Sequence, residues 1–516
     1  MKDASSARAL AAALAAAALL SACAARRPAP GPTPLEASGF AGITSSAKMN
    51  EYLAQLAAQS DLATVEPIGA SALGAPMTAL VLSREPAALA KTPPSPTRPT
   101  VLLVGSQHGT EPSGGEALLR LARDVVSGPR AEILDELNLV LIPNGNPDGR
   151  DGPRRVNGNG VNLSTNFTVL SEPETRAVDD AIARWQPDAL LDVHESAIFK
   201  GKTLGRQGYM TDFEAQFEIA NNPNVDPELA ALTKQRLLPE VLERVNAGGL
   251  RAHRYFGEIT DVEQPITHGG LSLKNLRNHA GMLGTVSFLV ENRLDPKHGT
   301  YPTHRNIAAR TDKQYASVQA FLDVVRAHRA EIAATAKAAR ERAKTDAAPL
   351  FLVTAYGPDP AQPEVKIRMQ RIDTGELVER TFDYHGQVRV SVPFDLPAAY
   401  VVTAHQQAMR RLLDRHHVTY AVRAEPLRAK LVVQRIRASE NVDARHGWDY
   451  TRFDVEERTE TKTVPAGSLW IPLAQPAGRM LPLLLDPRSN SSIFQEPAFA
   501  PLVRRGEDFF IARVPR

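Results

Sequence analysis

Val101-Leu102-Leu103-Val104 is an unbroken apolar run that leads straight into Gly105-Ser106-Gln107-His108-Gly109-Thr110-Glu111. A short aliphatic run closed by glycine reads as a strand buried on both faces, the kind a parallel sheet uses. The same arrangement returns downstream. Residues 137–142 lead into Asn144-Gly145-Asn146-Pro147-Asp148-Gly149, residues 189–193 into His194-Glu195, and residues 285–290 into Glu291-Asn292-Arg293. A further strand is expected over 78–82. Helical periodicity at 47–59, 115–126, 173–185, 227–245 and 312–344 fills much of the space around these runs. Ser171-Glu172-Pro173-Glu174 predicts a capping box at the start of one helix, with Pro near the first helical position. Strands alternating with helices define an α/β fold. In such sheets ligands bind beyond the carboxyl ends of the strands, so the polar groups at four such ends should converge.

Those groups suit a metal. His108 and Glu111 can reach one ion from a tight loop, and His194 can complete the set. Two imidazoles and a carboxylate with a fourth position open is the pattern of a catalytic zinc site holding one Zn2+. Structural zinc would favour a closed set with thiolates, and Cys23 is the single cysteine of the chain. Taken singly, His108 also reads as a loop histidine and Glu111 as a carboxylate at a helix N-terminus. Glu291 ends a buried run, where a carboxylate needs a partner or a task. Its functional reading is a general base toward metal-activated water; its structural reading is an ion pair with Arg293 or another Arg at the rim. Arg154 and Arg155, in a Gly/Asn-rich loop, are placed to polarise a scissile carbonyl or simply to face solvent.

His108-x-x-Glu111, then Asn146-Pro147-Asp148-Gly149, then residues 155–167 (Arg155-Val156-Asn157-Gly158-Asn159-Gly160-Val161-Asn162-Leu163-Ser164-Thr165-Asn166-Phe167), then Asp192-Val193-His194, then Phe288-Leu289-Val290-Glu291 resemble, in order, the motifs of the zinc carboxypeptidase (M14) metallopeptidases. The resemblance covers about residues 45 to 340. It implies a mixed, mostly parallel eight-stranded sheet between helices. It implies zinc on His108, Glu111 and His194, with Glu291 as base and Arg155 as the carbonyl-polarising residue. It also exposes a departure. The family's usual Asn-Arg pair, which grips a substrate's terminal carboxylate, is Ser164-Thr165 here, and its ligand-orienting Asp is Asn162. A hydroxyl cannot replace a bidentate guanidinium. Strict selection for a free C-terminus is therefore not expected, and Arg277 offers a substitute anion clamp. For the tyrosine that caps the substrate, Tyr255, Tyr209, His268 and His279 lie in the right stretch without a decision among them.

The chain has 516 residues, 60 Lys+Arg against 58 Asp+Glu, and a formal net charge of +2. So balanced a surface gives no field to draw in nucleic acid. The first 22 residues read as a signal peptide: Lys2 and Arg8, an Ala/Leu run from Ala9 to Leu20, then Leu20-Ser21-Ala22-Cys23, which resembles a bacterial lipobox. Lipidation at Cys23, a Pro/Arg-bearing tether to residue 44 and an outer-membrane site facing the periplasm are expected. Residues 45–345 are expected to form the catalytic domain. Residues 346–516 alternate in strand fashion and are expected to form a β-rich domain with one helix near 406–415, ending in His416 and His417, which read as exposed helix-end residues. The expectation is a lipid-anchored zinc peptidase acting on peptides. Its alternatives are a deacylase or cell-wall amidase acting on acylated amino acids or peptides, and a binding lipoprotein without turnover.

Overall fold

The computed structural model describes residues 30–89, 98–294, 306–442 and 449–516. Its central sheet has eight strands: β1 (Ala63–Ala70), β2 (Pro76–Leu82), β3 (Thr100–Gly105), β4 (Asn138–Ile142), β5 (Ala189–Ala197), β7 (Ala215–Ile219), β8 (Ala252–Arg254) and β9 (Val286–Leu294), in the order β1-β2-β4-β3-β5-β9-β7-β8. The pairs β3/β4, β3/β5, β5/β9 and β7/β8 are parallel, and β1/β2, β2/β4 and β7/β9 antiparallel. The sheet is thus mixed and mostly parallel.

Period-two geometry splits the core in two. Val101 and Leu103 of β3 face the apolar sides of α1 (Ser46–Gln59), α2 (Ser113–Val126) and α7 (Ile307–Ala327). Leu102 and Val104, on the other face, meet Val178, Ile182 and Trp185 of α3 (Pro173–Trp185) and Leu276 and Ala280 of α6 (Leu276–Met282). Helices on both faces leave the carboxyl ends of the strands open for loops.

Several local expectations fail for definable reasons. The stretch 227–245 is interrupted: α4 (Pro227–Leu232) passes through a π turn, Thr233–Leu237, into α5 (Leu238–Ala247). Pro239 cannot donate to the ladder and its ring crowds the carbonyl four residues back, which widens the turn there. The long Ala-rich helix is two, α7 and α8 (Arg329–Thr345), broken at His328 with φ −107° and ψ 16°. No capping box forms at α3, because Glu174 accepts from the Ala72 N–H at 2.8 Å and from Asn157 at 3.0 Å. Strands β5 and β9 also run further than their apolar runs, pairing as far as Ala197 with Leu294, so His194 and Glu291 lie within strands.

Beyond residue 346 the chain is rich in strand, with the expected helix α9 (Gln406–Arg415). A six-stranded sheet contains a long hairpin, Leu427–Val442 against Tyr450–Val464. The short strand β6 (Tyr209–Thr211) pairs with Glu364–Arg371, stitching this region to the loops of the central sheet. No helix among the described residues is long and apolar enough to cross a membrane. Cys23 and the segment before it lie outside the described residues.

Candidate metal centre

The loop after β3 is built by close backbone approach. A Cβ on Gly109 would lie 1.9 Å from the carbonyl carbon of Gly149, so only glycine lets this loop press against the Asn146–Gly149 turn. Asn146 clasps the two together, donating to the Gln107 carbonyl at 3.0 Å and accepting from the Gly149 N–H at 2.9 Å. Behind the loop, buried Arg150 bonds Glu116, the Thr44 carbonyl and Ser106. This scaffold leaves His108 and Glu111 buried and facing the end of β5.

There three donors meet. Nδ1 of His108 lies 2.9 Å from Glu111 Oε1, Nδ1 of His194 lies 2.9 Å from Glu111 Oε2, and the two Nδ1 atoms are 3.2 Å apart. Each imidazole has oxygen near its other nitrogen, by hydrogen bond at His108 and at ion-pair distance at His194. His108 Nε2 faces Asn162 Oδ1 and Ser164 Oγ, both at 2.9 Å, and His194 Nε2 faces Asp192 Oδ1 at 3.0 Å. Two imidazoles whose Nδ1 atoms point at each other and at a carboxylate, with oxygens close to the outer nitrogens, form the donor set of a zinc-type ion. The residues fit the metal.

Asn162 reaches His108 because Asn157 orders the Gly/Asn loop. Its Oδ1 accepts from the N–H groups of Asn159 at 3.1 Å and Val161 at 2.9 Å, while its Nδ2 donates to Glu172 at 2.8 Å. Ser164 lies against His108, with its hydroxyl donating to Asn162 at 3.0 Å, and the Thr165 hydroxyl donates to the Asn162 carbonyl at 3.2 Å. Both hydroxyls are taken up, that of Thr165 within the loop and that of Ser164 between Asn162 and His108. Arg155, half exposed, donates from Nη1 to Glu111 at 2.6 Å, whereas Arg154 is exposed. Arg277 is buried, giving Nε to the Ile219 carbonyl at 3.0 Å and Nη2 to that of Gly270 at 2.7 Å.

Glu291 sits beside His194 in the β5/β9 register, and its Oε2 is buried with no hydrogen-bond partner. Arg293 instead approaches Glu214 and Asp212, at 3.3 and 3.5 Å. Burial pushes the Glu291 carboxyl up to about 8; His194 and Arg155 oppose the rise and Glu111 adds to it. Burial alone would lower His194, but the Asp192 and Glu111 carboxylates outweigh it and hold the ring well above the ordinary histidine value. Burial would raise Glu111, but His108, His194 and Arg155 hold it well below the carboxylate range.

Asp192 and Gln107, which donates to Asp192 at 2.6 Å, carry no role in the sequence reading. The signal was there: Asp192 is two residues before His194 in an apolar strand, hence on the same face. Of the residues considered for a capping role, Tyr255 is within electrostatic reach of Glu291 and Arg155. His268 bonds Tyr384 at 2.6 Å, Tyr209 stacks under Arg380, and His279 bonds Asp179 at 2.6 Å. His416, expected to be exposed, is buried; His417 is not.

Residues 49–200 match the family model described as zinc carboxypeptidase. Carboxypeptidase 2 of Trichophyton equinum is 27% identical over 271 residues, which is 51% of this chain and 50% of the relative. Carboxypeptidase E of Caenorhabditis elegans is 31% identical over 128 residues, 21% of this chain and 26% of the relative. The chain thus spans half or less of the length of these curated relatives. Among solved structures, a metallo-carboxypeptidase from Burkholderia cenocepacia aligns with a TM-score of 0.40 and 19% identity, over 55% of this chain and 70% of that one. The matched segment contains all three converging donors, His108, Glu111 and His194.

Loading such a site should release protons. His194 must give up its proton before Nδ1 can bind an ion, and a cation nearby lowers the raised carboxyl of Glu291. Near pH 7, Zn2+ binding is expected to release about two protons. Apparent affinity should then rise with pH, by up to about tenfold per unit for each proton, and level off above both ionisations. Calorimetric titration of the stripped protein in buffers of different ionisation enthalpy measures this number. A heat independent of buffer contradicts it.

Proposed function

We propose that this chain is a metal-dependent hydrolase that cleaves an amide bond of a peptide, without a strict demand for a free C-terminal carboxylate. The observation that carries the reading is the convergence of His108, Glu111 and His194 Nδ1 beside the unpartnered Oε2 of Glu291. When bound, a zinc ion supplies Lewis acidity, lowering the pKa of water and polarising a carbonyl. Glu291 accepts the proton of the attacking water and returns it to the leaving amine. Arg155, at the exposed mouth beside Glu111, meets the negative charge that develops on the carbonyl oxygen. Asp192 and Asn162 keep the two imidazoles turned inward.

The loosened carboxylate recognition is supported by Ser164 and Thr165, whose hydroxyls are taken up by Asn162 and His108, and by Arg277, two of whose nitrogens serve backbone carbonyls. The same observations favour a second reading, an amidase or deacylase acting on acylated amino acids or cell-wall peptides. The proposal includes a membrane anchor through acyl chains on Cys23, on the strength of Leu20-Ser21-Ala22-Cys23. The test is a panel of one peptide in free-acid, C-terminally amidated and N-acylated single-residue forms, assayed with and without added zinc. Free and amidated forms should be hydrolysed within about tenfold of each other, the span of one 1.4 kcal/mol contact. A strict demand for the free acid overturns the altered recognition alone. No zinc-dependent turnover of any form overturns the hydrolase.

A further inference from the structure

A second cluster of metal-capable side chains lies in a different part of the molecule. Asp179 of α3, His279 of α6 and His416, which follows α9, are all buried, and each offers a donor atom within 4.8 Å of the others. One nitrogen of each ring already faces an oxygen. His279 Nε2 lies 2.6 Å from Asp179 Oδ1, and His416 Nε2 lies 3.0 Å from the Thr168 carbonyl. A proton on each Nε2 leaves Nδ1 as a lone pair, and both Nδ1 atoms are buried with no hydrogen-bond partner. The ring centroids are 5.7 Å apart. Two buried ring nitrogens without partners, on neighbouring rings beside a carboxylate, are costly unless something engages them.

The surroundings leave room for an ion to enter. The cluster lines a cavity of about 820 Å3 that also touches Pro99, Asp188 and Thr285, the residues just ahead of β3, β5 and β9. These are the amino ends of parallel strands, whereas His194 and Glu291 lie toward the carboxyl ends. At ~3.3 Å per residue, Asp188 and His194 are about 20 Å apart. Basic groups share the wall, but Arg340 is 3.2 Å from Asp188 and Lys344 is 2.9 Å from Glu341. His417 stands at the rim, its Nε2 3.7 Å from Asp179 Oδ2 and 3.0 Å from Asp180.

We propose that Asp179, His279 and His416 form a second metal site, taking a zinc-type divalent ion, at the end of the central sheet remote from the first. Imidazole and carboxylate donors without thiolate suit Zn2+, Co2+ or Ni2+; Ca2+ and Mg2+ would want oxygen throughout. The site stands apart from the hydrolase reading and does not depend on it.

The test is metal stoichiometry of the full chain, stripped with chelator and dialysed against Zn2+ or Co2+. The parent should hold two ions per chain, His279→Gln and His416→Gln one each. A His108→Ala/Glu111→Ala variant should also retain one, and added Zn2+ should raise its melting temperature, a readout that needs neither histidine replaced nor any substrate. One ion in the parent and none in the His108→Ala/Glu111→Ala variant would overturn the site. Two ions in a folded His279→Gln chain would equally do so.

Discussion

Replacing Glu291 by Gln is expected to reduce amide hydrolysis by about a hundred- to ten-thousand-fold, the span that a positioned proton acceptor contributes. The substitution keeps size and hydrogen-bonding capacity while removing the ability to take a proton. It touches none of the three converging donors, so zinc content should stay at the parent value. KM should change little, because a proton transfer is felt in the transition state rather than on substrate binding. The pH profile gives an independent readout. In the metal-free protein, burial lifts this carboxyl to about 8, so it is protonated at neutral pH until a cation is placed beside it. In the loaded protein it must be ionised to act, so the acidic limb of kcat/KM should belong to it and should vanish in the variant's residual activity. Retained turnover within about threefold of the parent, with metal present, would remove Glu291 from the chemistry and leave it a strand-end carboxylate.

How much of this was legible follows from where the information sits. The apolar runs that end in His108, His194 and Glu291 announce both strand and site, because a parallel strand must be apolar on both faces and its carboxyl end is where loops meet. Asn162 and Arg155 were legible only through an ordered set of motifs, since nothing local in a Gly/Asn loop fixes where its side chains point. Tertiary contacts overruled the rest. Glu174 looks like a cap but serves Asn157 and Ala72. The pairing of Asp179 with His279 and His416 joins three helices that no spacing rule connects. A histidine pair closing a helix reads as solvent-exposed until the partner face is known, and here only His417 is partly exposed.

The second large effect concerns stability. Glu195 points away from the metal centre, into the body of the protein, where Arg310 grips it with Nε at 2.6 Å and Nη2 at 2.8 Å, both side chains almost wholly buried. The same carboxylate accepts the Ser113 N–H at 3.0 Å at the start of α2, and the Glu195 N–H donates to Glu111 at 3.2 Å. Arg310→Met is therefore expected to cost about 3–5 kcal/mol, because it strands a buried charge rather than because the pair is worth that much. Two comparisons separate these causes. The double variant Glu195→Gln/Arg310→Met removes the stranded charge and should recover a large part of the loss. In the single variant the orphaned carboxyl should take up a proton more readily, so the deficit should shrink as pH falls and be largest in mildly alkaline solution. Urea unfolding across that range measures both. A single-variant loss below about 1 kcal/mol, or no pH dependence, would mean that water or another cation reaches Glu195, and that the pair is not what anchors α2 beneath the metal ligands.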